Sequence, residues 1–433
     1  MIKILNMKED TLEIDALFKR NQFDYQAVNQ NVEAIIKNVL ENQDDALRSY
    51  SKKFDNVELT DFKVSVQEID NAFETLDKTL INDLKKAIDN ITRYHEKQGY
   101  QSFQYEKDDG TILGQKVTPI KTVGLYVPGG TASYPSTVLM NAIPARIAGV
   151  KNIVMITPPK KDGTIQPSIL VAAKLAGVDT IYKLGGAHGI AALAYGTKTI
   201  PKVDKIVGPG NIYVSIAKKY LYGKVGIDMI AGPSEILIIA DEQANPDYIA
   251  ADLMSQAEHD TLASAILITP SSALAKRVKK ALSAQIKTLS RSDIIKQALN
   301  DYGAIILSED LKSAVNFSNT IAPEHLEILT KDPFSLLNDI TNAGSIFLGE
   351  NTPEPVGDYI AGPNHTLPTS GTARFSSPLS TTDFQKKSAY SFYSLNALKN
   401  DAEAIINIAD EEGLTAHSNA IKVRLRKKDE HAT

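Results

Sequence analysis

Apolar residues in the first hundred positions recur at helical spacing against a polar, charged background. Ile69, Phe73, Leu76, Leu80, Leu84, Ile88 and Ile91 step by three or four, which predicts one helix face turned toward a core. Ile35, Ile36, Val39 and Leu40 make a shorter stripe of the same kind. Near Lys121 the texture changes. Short β-rich runs appear at Thr122–Val127, Asn152–Thr157, Thr180–Leu184, Lys205–Val207, Glu235–Ile239, Ser264–Thr269, Ala304–Leu307 and Ser345–Leu348. Helical stretches such as Ser136–Ala148 and Ser168–Ala176 lie between them. This alternation predicts an α/β fold with largely parallel sheets, whose ligand loops sit at the carboxyl ends of strands. Four loops are read by that rule: Pro128-Gly129-Gly130, Gly185-Gly186-Ala187, Gly208-Pro209-Gly210-Asn211 and Ala231-Gly232-Pro233-Ser234. Residues 351–378, rich in Pro, Gly, Thr and Ser, predict a long functional loop. A last helical segment is expected around Leu398–Glu412.

Composition narrows the field. A chain of 433 residues suggests about three domains. Hydrophobic residues at 43% and charged residues at 23% exclude disorder as the main state. A net charge of −5 argues against nucleic acid as the main partner, and the basic run Lys422–Lys428, followed by Asp429 and Glu430, reads as a solvated tail. The absence of cysteine removes disulfides, thiolate metal sites and thiol nucleophiles. Met1–Lys8 has no following apolar stretch, so no signal peptide is expected, and no run is long enough to cross a bilayer. A soluble, cytoplasmic protein is the expectation.

Histidine concentrates the chemistry. His95 lies in a polar helical stretch and His431 in the tail. The other five, His188, His259, His325, His365 and His417, stand beside Gly, Pro and carboxylates. Gln256 and His259 end a helical stretch three residues apart, a spacing that either chelates a metal or marks a solvated last turn. Glu324-His325 precedes a strand-like run. The two either share proton transfers across a cleft or, as strand neighbours, point to opposite faces. Asp358, His365, Glu412 and His417 complete a possible N/O donor set that suits zinc or a similar divalent ion. No intact dinucleotide fingerprint follows a strand, because Tyr213 stands at the third glycine position after Gly208-Pro209-Gly210.

Taken together, Gly124–Gly130, Lys202–Asn211, Ala231–Glu235, Ser255–His259, Ala322–His325, Gly357–Tyr359, Ala361–His365 and Gly413–His417 resemble the histidinol dehydrogenases, in that family's order and over nearly the whole chain. The resemblance implies oxidation of L-histidinol to L-histidine through the aldehyde, with two NAD and one zinc ion per subunit of a homodimer. The family's metal ligands match Gln256, His259, Asp358 and His417, and its acid–base pair matches Glu324 and His325. Its substrate contacts match Ser234, His365 and Glu412, together with His325 and the metal ligands. Its cofactor contacts match Tyr126, Asn211 and position 188.

The implied architecture is two incomplete Rossmann-like parallel-sheet domains with small helical N- and C-terminal segments exchanged in the dimer. These are residues 1–22; 23–125 with 236–379, carrying the metal and acid–base residues; 126–235, binding NAD; and 380–433, completing the partner's site. Two departures stand out: His188 replaces the usual glutamine of Gly-Gly-Ala-Gln, and Ile230 replaces a common proline. A protonated His188 near the NAD phosphates is the expectation drawn from the first. With no cysteine to form a thiohemiacetal, water must supply the second oxygen, and Glu324 is the candidate to activate it. A zinc- and NAD-dependent dehydrogenase of another small polyol and a metallohydrolase remain as alternatives, the former disfavoured by Glu412, which suits a cationic amine.

Overall fold

The continuous β-branched runs form two parallel sheets with both faces covered. A computed structural model describes residues 2–18, 26–129 and 133–426. Gly130, Lys427, Lys428, Asp429, Glu430 and His431 lie outside the described residues. The chain divides into two compact units, Met1–Gly99 with Ile120–Phe384, and Tyr100–Pro119 with Gln385–Thr433.

The first unit holds both parallel sheets. One is six-stranded, in the order Lys3–Asn6, Gly303–Leu307, Ser264–Thr269, Glu235–Ala240, His325–Leu329, Ser345–Leu348. Period-two alternation sends Leu237, Ile239, Ile266 and Ile268 to a face covered by the helices Thr11–Phe18 and Leu311–Ile321. Ile236, Ile238, Ala265 and Leu267 pack instead on Pro246–Ala257, Ser272–Gln285 and Ser292–Asp301. Each large apolar side chain among these contributes about 1.5–3 kcal/mol when fully buried.

The other sheet is five-stranded, in the order Thr180–Lys183, Asn152–Thr157, Thr122–Tyr126, Lys205–Val207, Gly226–Ile227. Val123, Leu125, Ile153 and Met155 face Lys78–His95, Pro135–Ile147 and Pro167–Leu175. Tyr126, Val154, Ile156 and Ile206 face Gln26–Tyr50, Gly186–Tyr195 and Ile212–Leu221.

Several expectations are corrected. The stripe from Ile69 to Ile91 is two helices, Val66–Thr75 and Lys78–His95, because Asp77 caps the second by accepting from the Thr79 N–H. Residues 26–95 and the Thr122–Tyr126 strand belong with the five-stranded sheet, not with 236–379, since their apolar faces pack there. The N-terminal segment opens with a strand rather than a helix, and that strand pairs with Gly303–Leu307 of its own chain. Within 351–378, Glu354–Tyr359 is helical. Residues 380–384 belong to the first unit.

The second unit is an antiparallel sheet of Phe103–Glu106, Ile112–Pro119 and Gln385–Phe392, with the helices Leu395–Glu411 and Thr415–Leu425. Among the described residues no helix is long and apolar enough to cross a membrane.

Candidate active site

Glu235 opens one strand of the six-stranded sheet, and Glu324 immediately precedes its neighbour, His325–Leu329. The two glutamates exchange main-chain hydrogen bonds. The Glu235 N–H donates to Glu324 Oε2 at 2.8 Å, and the Glu324 N–H donates to Glu235 Oε2 at 3.3 Å. The Ser370 N–H donates to Glu235 Oε1 at 3.0 Å. Buried N–H groups that need acceptors are satisfied by carboxylates. Burial, and then the charge of Glu235, push the Glu324 carboxyl well above the ordinary range.

His325 Nδ1 lies 2.9 Å from the Glu235 carbonyl oxygen. A carbonyl only accepts, so Nδ1 carries the proton and donates, and Nε2 is the bare nitrogen. Nε2 is buried without a hydrogen-bond partner, 3.9 Å from Asp358 Oδ1. Phe347 stacks on the ring at 6.0 Å between centroids. Burial lowers the imidazole pKa and keeps it neutral. Because Glu324 stands outside the strand, it does not alternate away from His325: its Oε2 is 3.7 Å from His325 Nδ1.

Asp358 sits on the short helix Glu354–Tyr359. Ligand atoms of His325, Glu354 and Asp358 lie within 4.8 Å of one another. Ser255 Oγ donates to Glu354 Oε2 at 3.0 Å, which ties the last turn of Pro246–Ala257 to this helix. Gln256, in that turn, is buried with Oε1 unpartnered. His259 is exposed and lies past the helix end, so the pair does not share a helix face as its spacing suggested. It lines a cavity with Tyr134, Arg291 and Tyr359.

The orphaned amide oxygen of Gln256, the clustered Asp358 carboxylate and the imidazole of His259, near enough to His325 to act on its charge, fit a zinc-type ion, which takes N/O donors. His365 Nδ1 donates to the Asp358 carbonyl at 3.1 Å, and burial pushes its pKa down to about 4. Ser234 is half-buried, and its carbonyl accepts from the Ser264 N–H at 2.9 Å. Glu412 and His417 are exposed and belong to the second unit.

Spacing did not reveal Glu235, Glu327, Glu354 or Asp252. The Glu354 N–H donates to Glu327 Oε1 at 2.8 Å, and Glu327 hydrogen-bonds Asp252. Burial raises all three of Asp252, Glu327 and Asp358 above the usual carboxylate range. The one available signal was Pro353-Glu354-Pro355, since proline favours a first helical turn.

Glu324 and His325 therefore lie at the amino edge of the six-stranded sheet, not at carboxyl strand ends as the loop rule predicted. Ala231–Ser234 likewise enters that edge. The other three Gly-rich turns follow carboxyl ends of the five-stranded sheet. Gly208 has φ +111°, and a Cβ there would lie 2.1 Å from the Tyr126 carbonyl oxygen. The Gly208 N–H donates to Asp228 Oδ2 at 2.8 Å, and Lys218 Nζ donates to the Gly208 carbonyl at 2.9 Å. Lys218 and Asp228 are themselves a buried ion pair, which pins the turn from both sides.

Asn211 is exposed, and its Oδ1 accepts from the Tyr213 and Val214 N–H groups as the cap of Ile212–Leu221. Tyr126 is buried, and its hydroxyl accepts from the Gly186 N–H at 3.3 Å. His188 is buried as well, and burial pushes its pKa down to about 3. The imidazole is therefore neutral, and the expected cation beside the phosphates is not there.

A family model described as histidinol dehydrogenase matches residues 18–425. A histidinol dehydrogenase of Clostridium acetobutylicum is 59% identical over 397 residues, covering 92% of this chain and 92% of that protein. One from Bacillus subtilis is 54% identical over 398 residues, covering 92% and 93%. The crystal structure of histidinol dehydrogenase from Elizabethkingia anophelis superposes with a TM-score of 0.92 at 40% identity, covering 98% of each chain.

Proposed function

The chain belongs to the histidinol dehydrogenase family, and on that basis we propose that it oxidises L-histidinol to L-histidine in the cytoplasm, as a zinc- and NAD-dependent enzyme of histidine biosynthesis. The observation that carries the reading is His325 Nε2, bare, buried and 3.9 Å from Asp358 Oδ1 beside protonatable Glu324.

His325 accepts the proton of the substrate hydroxyl at Nε2, because Nδ1 is committed to the Glu235 carbonyl. Its neutral state makes it competent to do so at physiological pH. Glu324 draws the proton from the water that supplies the second oxygen. Burial and the charge of Glu235 raise the Glu324 pKa, so its ionised form is the stronger base but is less populated. Gln256, His259 and Asp358 would hold zinc, which when bound orients and polarises the alcohol. The Gly129, Gly186 and Gly208 turns would hold NAD, which would supply the hydride acceptor. Ser234 and His365 contact the substrate.

Glu412 and His417 act in a partner's site, Glu412 on the substrate's ammonium group and His417 on zinc. Their exposure in the single chain is compatible with that role. Mixing Glu324→Gln with His417→Ala homodimers should then restore about a quarter of wild-type activity, because mixed dimers carry one intact site.

The direct test is NADH formation from L-histidinol with and without chelator. Metal-dependent formation of two NADH per histidinol supports the reading. NADH from simple alcohols but not histidinol would favour another polyol, and hydrolysis without NADH a metallohydrolase.

A further inference from the structure

The π-helical turn Ser51–Asp55 extends the Gln26–Tyr50 helix, which packs on the helix Gly186–Tyr195. Tyr50 and Phe54 stack on each other at 5.5 Å, and both rings contact His188, at 5.4 and 6.0 Å. Neither ring nitrogen of His188 has a hydrogen-bond partner, although the residue is only 1% exposed. Asp55 Oδ2 is buried and unpartnered too. Buried polar atoms without partners are uncommon and call for a ligand or water. Burial alone pushes the Asp55 carboxyl up to about 6, with no cation compensating it. Lys52 is engaged by Glu58, and Lys53 lies over the Phe54 ring. Asp55 is near enough to Tyr126 for its charge to raise the phenol.

In doubly wound dinucleotide folds, a carboxylate beyond the glycine-rich turn takes the adenosine ribose hydroxyls. Here the strand adjoining Thr122–Tyr126, Asn152–Thr157, runs into Pro158-Pro159-Lys160 and supplies no acid. Asp55, from outside the sheet, is a carboxylate near Tyr126, the last residue of Thr122–Tyr126. An acceptor-only group needs donors, and a ribose diol offers two. A 2′-phosphate would instead meet a buried negative charge without a counter-ion.

We propose that Asp55 receives the adenosine ribose hydroxyls of the dinucleotide, beside the exposed ring of Phe54, and thereby selects NAD over NADP. This rests on the NAD-dependent reading above. Calorimetric titration of metal-loaded protein with NAD and with NADP tests it without turnover. Wild type should bind NAD at least about tenfold more tightly than NADP, and Asp55→Asn should weaken NAD about tenfold and erase the difference. NAD lacking the adenosine 2′-hydroxyl should bind wild type correspondingly more weakly, a measurement that does not depend on the variant folding. Folded Asp55→Asn with unchanged NAD affinity, or wild type indifferent to loss of that hydroxyl, overturns the assignment alone. Wild type that binds neither dinucleotide overturns the NAD reading and the assignment with it.

Discussion

At the carboxyl edge of the five-stranded sheet, Thr122–Tyr126, Thr180–Lys183 and Lys205–Val207 each run into a glycine-containing turn, and two of these turns start helices of ten residues. At the amino edge of the six-stranded sheet, Glu235 and Glu324 instead fold their carboxylates back onto each other's N–H groups. The first edge places turn N–H groups and glycines where an anionic ligand can approach, as helix N-termini after parallel strands commonly do. The second satisfies its N–H groups with its own acids. It thus gathers carboxylates and imidazoles in a dry setting, where burial raises the pKa of Glu324 and lowers that of His325. On the proposed reading one edge would bind and the other would carry the chemistry, and substitutions should separate the two.

The largest effect is expected at the chemical edge. His325→Ala should lower kcat by about 10³-fold or more by removing the general base. Glu324→Gln should slow oxidation of the aldehyde more than that of the alcohol, because only the second step consumes water. Steady-state rates with each substrate check both, and equal slowing by Glu324→Gln would remove its assigned role. Glu235→Ala strips the acceptors from the Glu324 and Ser370 N–H groups. It should destabilise the fold by about 2–4 kcal/mol in urea denaturation, from one buried and one half-buried donor left unpaired. A loss below about 1 kcal/mol would mean that the edge is not held by this exchange.

At the binding edge, Gly208→Ala places a methyl group against the Tyr126 carbonyl at a φ that alanine resists. NAD affinity should fall about tenfold or more, while zinc content stays that of wild type; equilibrium dialysis of both checks this. The smallest effect concerns pH. His188 is held near pKa 3 when folded, against about 6.5 unfolded. The unfolded chain therefore binds more protons between those values, and stability falls as pH drops through 6.5. From pH 6.5 to 5, wild type should lose about 1.6 kcal/mol more than His188→Gln, with little difference in slope above about pH 8. Parallel profiles across the acid range would place His188 in a wetter setting.

Legibility in the sequence follows burial. Asn152–Thr157 and Ser264–Thr269 were visible because nearly every residue in them is buried and apolar. Gln385–Phe392 was not, since its eight residues are exposed or nearly so and carry no one-sided pattern. The helix break at Asp77 was masked because the three-and-four spacing continues across it from Phe73 to Leu80. Glu324, His325 and Asp358 were legible through their histidine and glycine neighbours. Glu235 and Glu354 were not singled out, because a buried carboxylate inside a strand or a short helix leaves no periodic mark, and only the fold brings it to the site. Position 188 was legible as a departure from the family, but its neutral state depends on Tyr50 and Phe54, far away in sequence.

The division between the two edges is tested most directly by measuring the NAD dissociation constant and kcat on the same preparations of Glu324→Gln and Gly208→Ala. Glu324→Gln should bind NAD within about twofold of wild type while losing about 10²-fold or more in kcat. Gly208→Ala should show the reverse, weak NAD binding with most of kcat recovered at saturating NAD. Glu324→Gln weakening NAD as much as Gly208→Ala does would contradict the account.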